Sequence, residues 1–257
     1  MTEDNLPVRP KSKQIDLKPL IQFILHPTQG FSQMSAGEFP GWAMPMLALS
    51  ASSLLYIILA GSFKARILAT GEIPLPPDFQ WWTFQMQDNY LRAQQVQQGA
   101  ASVYILPAVT GLIGLWLGWA ILSGLLHLAS TLFGGRGTVE SALKVTAWSS
   151  LPFVIRDLLR MVYMLIAQHT IGSPGLSGFV AGYGRRYILM GKLFSQTDLF
   201  LLWQAFLLVL GFTLLDSLPR RKAVAIVVGV LLLILVAQAG FGTLFASLGG
   251  MTVSRPF

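Results

Sequence analysis

The sequence predicts an all-α membrane protein, a bundle of five transmembrane helices. Three observations carry the prediction. Apolar runs long enough to cross lipid recur along the 257 residues, only 11% of the chain is charged against 53% hydrophobic, and basic residues collect at the ends of the runs. A soluble domain carries about 25% charged residues, whereas about 20 consecutive apolar residues in a helix cross a hydrocarbon core of roughly 30 Å.

The elements follow in order. Residues 1–18 read as a disordered basic tail, with Arg9, Lys11, Lys13 and Lys18 among Pro7 and Pro10. Residues 19–41 form an interfacial amphipathic segment in which Leu20, Ile21, Phe23 and Ile24 precede Pro27. This segment either lies on the membrane surface or packs on the ends of the bundle. The transmembrane domain occupies 42–245, with spans at 42–62, 103–130, 142–167, 199–215 and 223–245. Trp42 opens the first span and Lys64 and Arg66 close it, in the manner of interfacial anchors. Trp81, Trp82 and Phe84 stand in a polar loop with Pro74, Pro76 and Pro77, and are expected at the headgroup layer. The second span is long enough that it must tilt, kink at Pro107 or project from the membrane. Pro152 should kink the third, because proline removes a backbone donor and crowds the preceding turn. Glycines 172, 175, 178, 182 and 184 read as a flexible loop, and residues 246–257 as a C-terminal tail. The first 40 residues hold no apolar core of signal-peptide length, so the first span is expected to direct its own insertion.

The net charge of +7 fits basic residues meeting anionic headgroups. Nucleic-acid binding is not expected, since no basic stripe interleaves with stacking aromatics. The absence of cysteine removes disulfides, thiolate catalysis and cysteine metal sites. His26, His127 and His169 have no metal-ligand spacing, and no nucleophile–base motif such as GxSxG or HExxH occurs. The expectation is no enzyme, no cofactor and no metal. The partners expected are the bilayer itself, other membrane subunits or a second copy.

Orientation rests on basic residues. With a cytoplasmic N-terminus the inner side holds Arg9, Lys11, Lys13, Lys18, Arg136, Lys144, Arg220, Arg221 and Lys222, concentrated in short loops. The outer side holds Lys64, Arg66, Arg92, Arg185, Arg186, Lys192 and Arg255, spread over longer ones. Five spans then place the C-terminus outside.

Arg156, Asp157 and Arg160 are the sharpest candidates for a functional site. They share one face of the third span, and a lone charge at mid-membrane costs about 2.5–3.5 kcal/mol on insertion scales. One arrangement pairs Asp157 with Arg160 within the helix while Arg156 snorkels to the outer boundary. The other is a polar contact or transport site inside the bundle. Gly114 and Gly118 form a GxxxG pair that would let a second helix approach closely.

Phe133-Gly134-Gly135-Arg136-Gly137-Thr138 leads into Ala147-Trp148-Ser149-Ser150-Leu151-Pro152. This pattern resembles the Yip1 domain family, whose bacterial members commonly have a Gly-Gly-Lys/Arg-Gly-Ser/Thr turn between the second and third spans and a Ser-x-Pro pattern opening the third. Leu25-His26-Pro27 followed by Phe31 is similar to that family's Pro-x-x-x-Phe entry before the first span. Trp148 replaces a tyrosine usual there, and the Asp-Leu-Tyr-Gly-Pro-like motif of eukaryotic members is absent. The resemblance therefore implies a five-span protein in the cytoplasmic membrane of a prokaryote, and implies neither Rab GTPase binding nor a vesicle-trafficking role. The expected function is non-enzymatic: scaffolding, membrane organisation or an accessory subunit. The alternative is a small transporter or permease using Arg156, Asp157 and Arg160.

Overall fold

The computed structural model describes residues 18–69, 78–171, 175–179 and 185–251. Residues 1–17 of the expected basic tail, Pro74, Pro76 and Pro77, glycines 172, 182 and 184, and the last six residues lie outside them, while Lys18 opens the first helix. Every regular element among the described residues is helical. The α-helices are α1 (Lys18–Leu25), α2 (Pro27–Ser35), α3 (Ala43–Ala69), α4 (Phe84–Gln98), α5 (Leu106–Leu132), α6 (Val139–Ser149), α7 (Pro152–Ala167), α8 (Arg185–Gln196), α9 (Leu199–Leu215) and α10 (Arg220–Met251). A π-helical turn, Ala101–Ile105, feeds α5.

Three helical stretches are long and apolar enough to cross a membrane: Ala43–Arg66, Ala101–Leu132 and Arg220–Gly240. A fourth is reached if Met190–Gln196 and Leu199–Leu215, bent by 63° at their junction, count as one broken span. The expected third span is not continuous. Pro152 divides it into α6 and α7, joined by short i→i−3 bonds: Ser150 N–H to Ala147 O at 3.2 Å, Leu151 N–H to Trp148 O at 3.2 Å and Val154 N–H to Leu151 O at 2.9 Å. The count of five is thus approximate. Even so, α6 and α7 together run the length of α9. Ser141, near the start of α6, bonds the carboxylate of Asp216 at the foot of α9, while Arg156 and Arg160 on α7 reach Asp198 at its head. By the helical rise those ends lie about 27 Å apart, close to the thickness of a hydrocarbon core.

Apolar side chains stand exposed all along α5, α9 and α10, among them Ile113, Leu117, Leu202, Phe206, Leu232 and Leu233. In water such faces would collapse or aggregate; in lipid they are the solvent-facing surface. The interior carries polar ties between helices instead. Ser123 and Thr146 share a short hydrogen bond between α5 and α6. Gln204 donates to Ser150 at 2.9 Å, and Ser52 donates to Asp157 at 3.3 Å. Such bonds act as glue where the hydrophobic effect gives helices no reason to associate.

The amphipathic segment packs on the bundle. Phe23 and Phe31 are fully buried, edge to face at 4.9 Å, and Phe23 lies 5.2 Å from Trp148 of α6. Pro27 sits in the first turn of α2, where its missing N–H is no loss. One turn later Phe31 enters a hollow at Gly211 of α9, where a Cβ would meet the ring at 2.9 Å. The Pro-x-x-x-Phe pattern is therefore a docking device for this hairpin.

Trp42, expected as an interfacial anchor, joins Trp116 and Trp119 of α5 in an aromatic trio, with centroids 6.2 and 5.0 Å away. The indole N–H groups of Trp116 and Trp119 donate to Ser50 Oγ and Leu143 O. The trio places the start of α3 against the middle of α5, so the foot of α5 extends past α3 and packs on α6.

Candidate functional site

Two polar sites lie at opposite ends of α9. The first is the turn after α5. Gly134 has φ +91°, the left-handed region that glycine enters without cost. Gly135 backs onto Ser130, and a Cβ at Gly137 would overlap the Asp216 carboxylate. That carboxylate is buried, accepting from Ser130 and Ser141 hydroxyls, and the Arg136 N–H donates to the Asp216 carbonyl at 3.1 Å. Lys222 donates to the Phe133 carbonyl at 3.0 Å. The glycine-rich turn and the basic turn before α10 are thus clasped together around Asp216. A carboxylate at a helix C-terminus opposes the helix dipole; here the surrounding donors offset that cost.

The second site lies near the head of α9. Asp198 is the N-cap of α9, its Oδ1 accepting from the Leu201 N–H at 2.9 Å. Its Oδ2 faces Arg156 at 3.5 Å and Arg160 at 3.6 Å. Asp157 lies 3.6 Å from Arg156 Nε and accepts from Ser52 of α3. The Arg156 guanidinium also covers the Phe153 ring at 4.4 Å, a favourable cation–π placement. All four charged side chains are largely buried, from 10% exposed for Asp157 to 25% for Arg156.

The arrangement corrects the expected pairing. Asp157 does not pair with Arg160, and Arg156 does not snorkel away. Both arginines turn toward Asp198, because α9 brings a carboxylate to the face where the arginines lie one turn apart. The sequence reading missed Asp198 and Ser52. Asp198 had a signal, an acidic residue directly before an apolar run, which is an N-cap position. Ser52 had none, being one of several serines in an apolar span.

Between α3, α5, α7, α9 and α10 lies a cavity of about 650 Å³. Arg156, Asp157, Arg160 and Gln204 line its polar part, and Leu115, Leu231 and Ile234 its apolar walls. Gly114 and Gly118 also face it, and a Cβ at either would meet nothing within 4 Å. Among the described residues, no helix packs on this GxxxG pair. The close approach of α3 to α5 occurs instead at Gly61, where a Cβ would meet the Tyr104 ring at 2.7 Å, and at Gly111, where it would meet Ile57 at 3.0 Å. Pro152 and the family-like glycines do not line the cavity and belong to the break and the turn already described.

Outside the bundle, Phe79, Trp82 and Tyr90 pack together at 5.5–5.7 Å, leaving Trp81 and Phe84 more than 80% exposed. Among the described residues, buried His127 Nδ1 meets no hydrogen-bond partner. Among the described residues, no group of three or more His, Asp and Glu side chains is placed to hold a metal ion.

Comparison with known proteins gives a match to the family model described as Yip1 domain, over residues 21–241. An uncharacterized protein of Methanocaldococcus jannaschii is 32% identical over 65 residues, 25% of this chain and 46% of that protein. The chain therefore spans about half the length of this relative. No solved structure matches.

Proposed function

This chain belongs to the Yip1 domain family, and from that premise we propose that it serves the membrane without catalysing a reaction, as a scaffold, a membrane organiser or an accessory subunit. One observation carries the reading: the buried charges are engaged in ties between helices, Arg156 and Arg160 to Asp198 and Asp157 to Ser52, which fix the bundle's form. The proposed contact surface is the exposed pair Trp81 and Phe84, with the lipid-facing helices around it. The proposed location is the cytoplasmic membrane of a prokaryote, N-terminus inside and C-terminus outside, supported by the density of basic residues in the short loops. Photo-crosslinking from a reactive residue at position 84 in native membranes tests the role. A discrete protein adduct, or an adduct to a second copy, is the expected result; adducts to lipid alone, with a lone monomer in mild detergent, would refute it.

The cavity supports a second reading, a small transporter or permease whose path passes Arg156, Asp157 and Arg160. Solute flux in reconstituted vesicles, abolished by Arg156→Ala, would establish it over the first.

A further inference from the structure

We propose that the cavity between α3, α5, α7, α9 and α10 is a binding site for an anionic lipid, with its headgroup oxyanion against Arg156 and Arg160 and its tail along the apolar walls. The site is independent of whether the protein acts as a scaffold or a transporter.

The two arginines are loosely paired. A guanidinium carries a fork of N–H donors and no acceptor. The contacts that Arg156 and Arg160 make with carboxylates lie at 3.5–3.6 Å, beyond the 2.7–2.9 Å of a charge-assisted hydrogen bond. Arg156 Nε is buried, and its contact with Asp157 Oδ1 at 3.6 Å is longer than a hydrogen bond. The two carboxylates, by contrast, have other donors: Asp198 takes the Leu201 N–H and Asp157 takes the Ser52 hydroxyl. The guanidiniums thus hold their carboxylates loosely at the place where the cavity meets the cluster.

Formal charges balance, two arginines against two aspartates. The N-terminus of α9 adds the positive end of a 17-residue helix, which favours a further anion. Guanidinium pairs recognise phosphate and carboxylate oxygens through parallel hydrogen bonds.

The remaining lining selects the carrier of the oxyanion. Leu115, Leu231 and Ile234 also line the cavity, and a free phosphate has no use for such walls. About 650 Å³ lies within the range of small-molecule sites, enough for a headgroup and the upper part of a chain. Gly114 and Gly118 fit the same account, since the absence of side chains there leaves the cavity open.

The test uses the full chain, purified and delipidated in detergent, titrated by calorimetry with three probes: a short-chain phosphatidylglycerol, a phosphatidylcholine of equal chain length, and inorganic phosphate. The expected result is at least tenfold tighter binding of phosphatidylglycerol than of either other probe. Arg156→Gln and Arg160→Gln should each weaken it tenfold or more. Because removing an arginine could unfold the bundle, Gly118→Leu serves as the second variant. It fills the cavity without touching an ion pair and should abolish binding while thermal unfolding stays as in the unaltered protein. Equal binding of the two lipids, or unchanged binding in Gly118→Leu, would overturn the proposal. Phosphate binding as tightly as phosphatidylglycerol would overturn the lipid assignment.

Discussion

Glycines at a four-residue spacing in an apolar helix suggest a packing seam, but Gly114 and Gly118 border open space while Gly61 and Gly111 do the packing. Spacing shows which glycines share a face, not what that face meets. Thermal unfolding in detergent separates the cases. Gly114→Ala should be neutral or stabilising by up to about 1 kcal/mol, the helix-propensity difference. Gly61→Ala and Gly137→Ala should destabilise by about 1–3 kcal/mol, the cost of overpacking, because rigid neighbours occupy the space. The charged cluster was half legible on the same terms. Arg156, Asp157 and Arg160 stand out because charge in an apolar span is costly, but their partner Asp198 comes from another helix. Asp198→Ala removes an N-cap and the carboxylate shared by both arginines, and should cost about 3–5 kcal/mol, as for a broken buried pair. Asp198→Asn keeps the cap and should lose less, measured in the same unfolding experiment.

At the scale of elements, a proline inside an apolar run marks a disruption of the helix. The structure adds that Pro152 breaks the span into two helices and concentrates Thr146, Ser150 and Gln204 at the joint. The proline is local information; the glutamine that donates to Ser150 at the joint comes from α9 and is not. The α1–α2 segment was open between membrane surface and bundle end, since eight- and nine-residue helices have amphipathic faces suited to either. Burial of Phe23 and Phe31 against Trp148 and Gly211 decides for the bundle. Phe31→Ala should release the hairpin, measured as faster hydrogen exchange over residues 18–35 with the exchange of α9 and α10 little changed. Slow exchange persisting in the variant would mean that the membrane surface, not the hollow at Gly211, holds the segment.

For the whole molecule, composition and apolar runs made the membrane class and helical architecture readable, and the glycine turn with Pro152 pointed to the family. Span count was less readable, because a hydropathy pattern does not show whether a long stretch crosses as one rod, as two pieces like α6 and α7, or with a bend like that before α9. The central claim is that these helices thread lipid and put the clasp around Asp216 and the loop before α4 on opposite sides. The chain has no cysteine, so single cysteines report without background. In sealed, oriented vesicles, Ser217→Cys, in the exposed turn before α10, should react with a membrane-impermeant maleimide only from the cytoplasmic side. Thr83→Cys, exposed before α4, should react only from the other. Labelling of both positions from the same side, or release of the unlabelled protein from membranes by carbonate, would contradict the account.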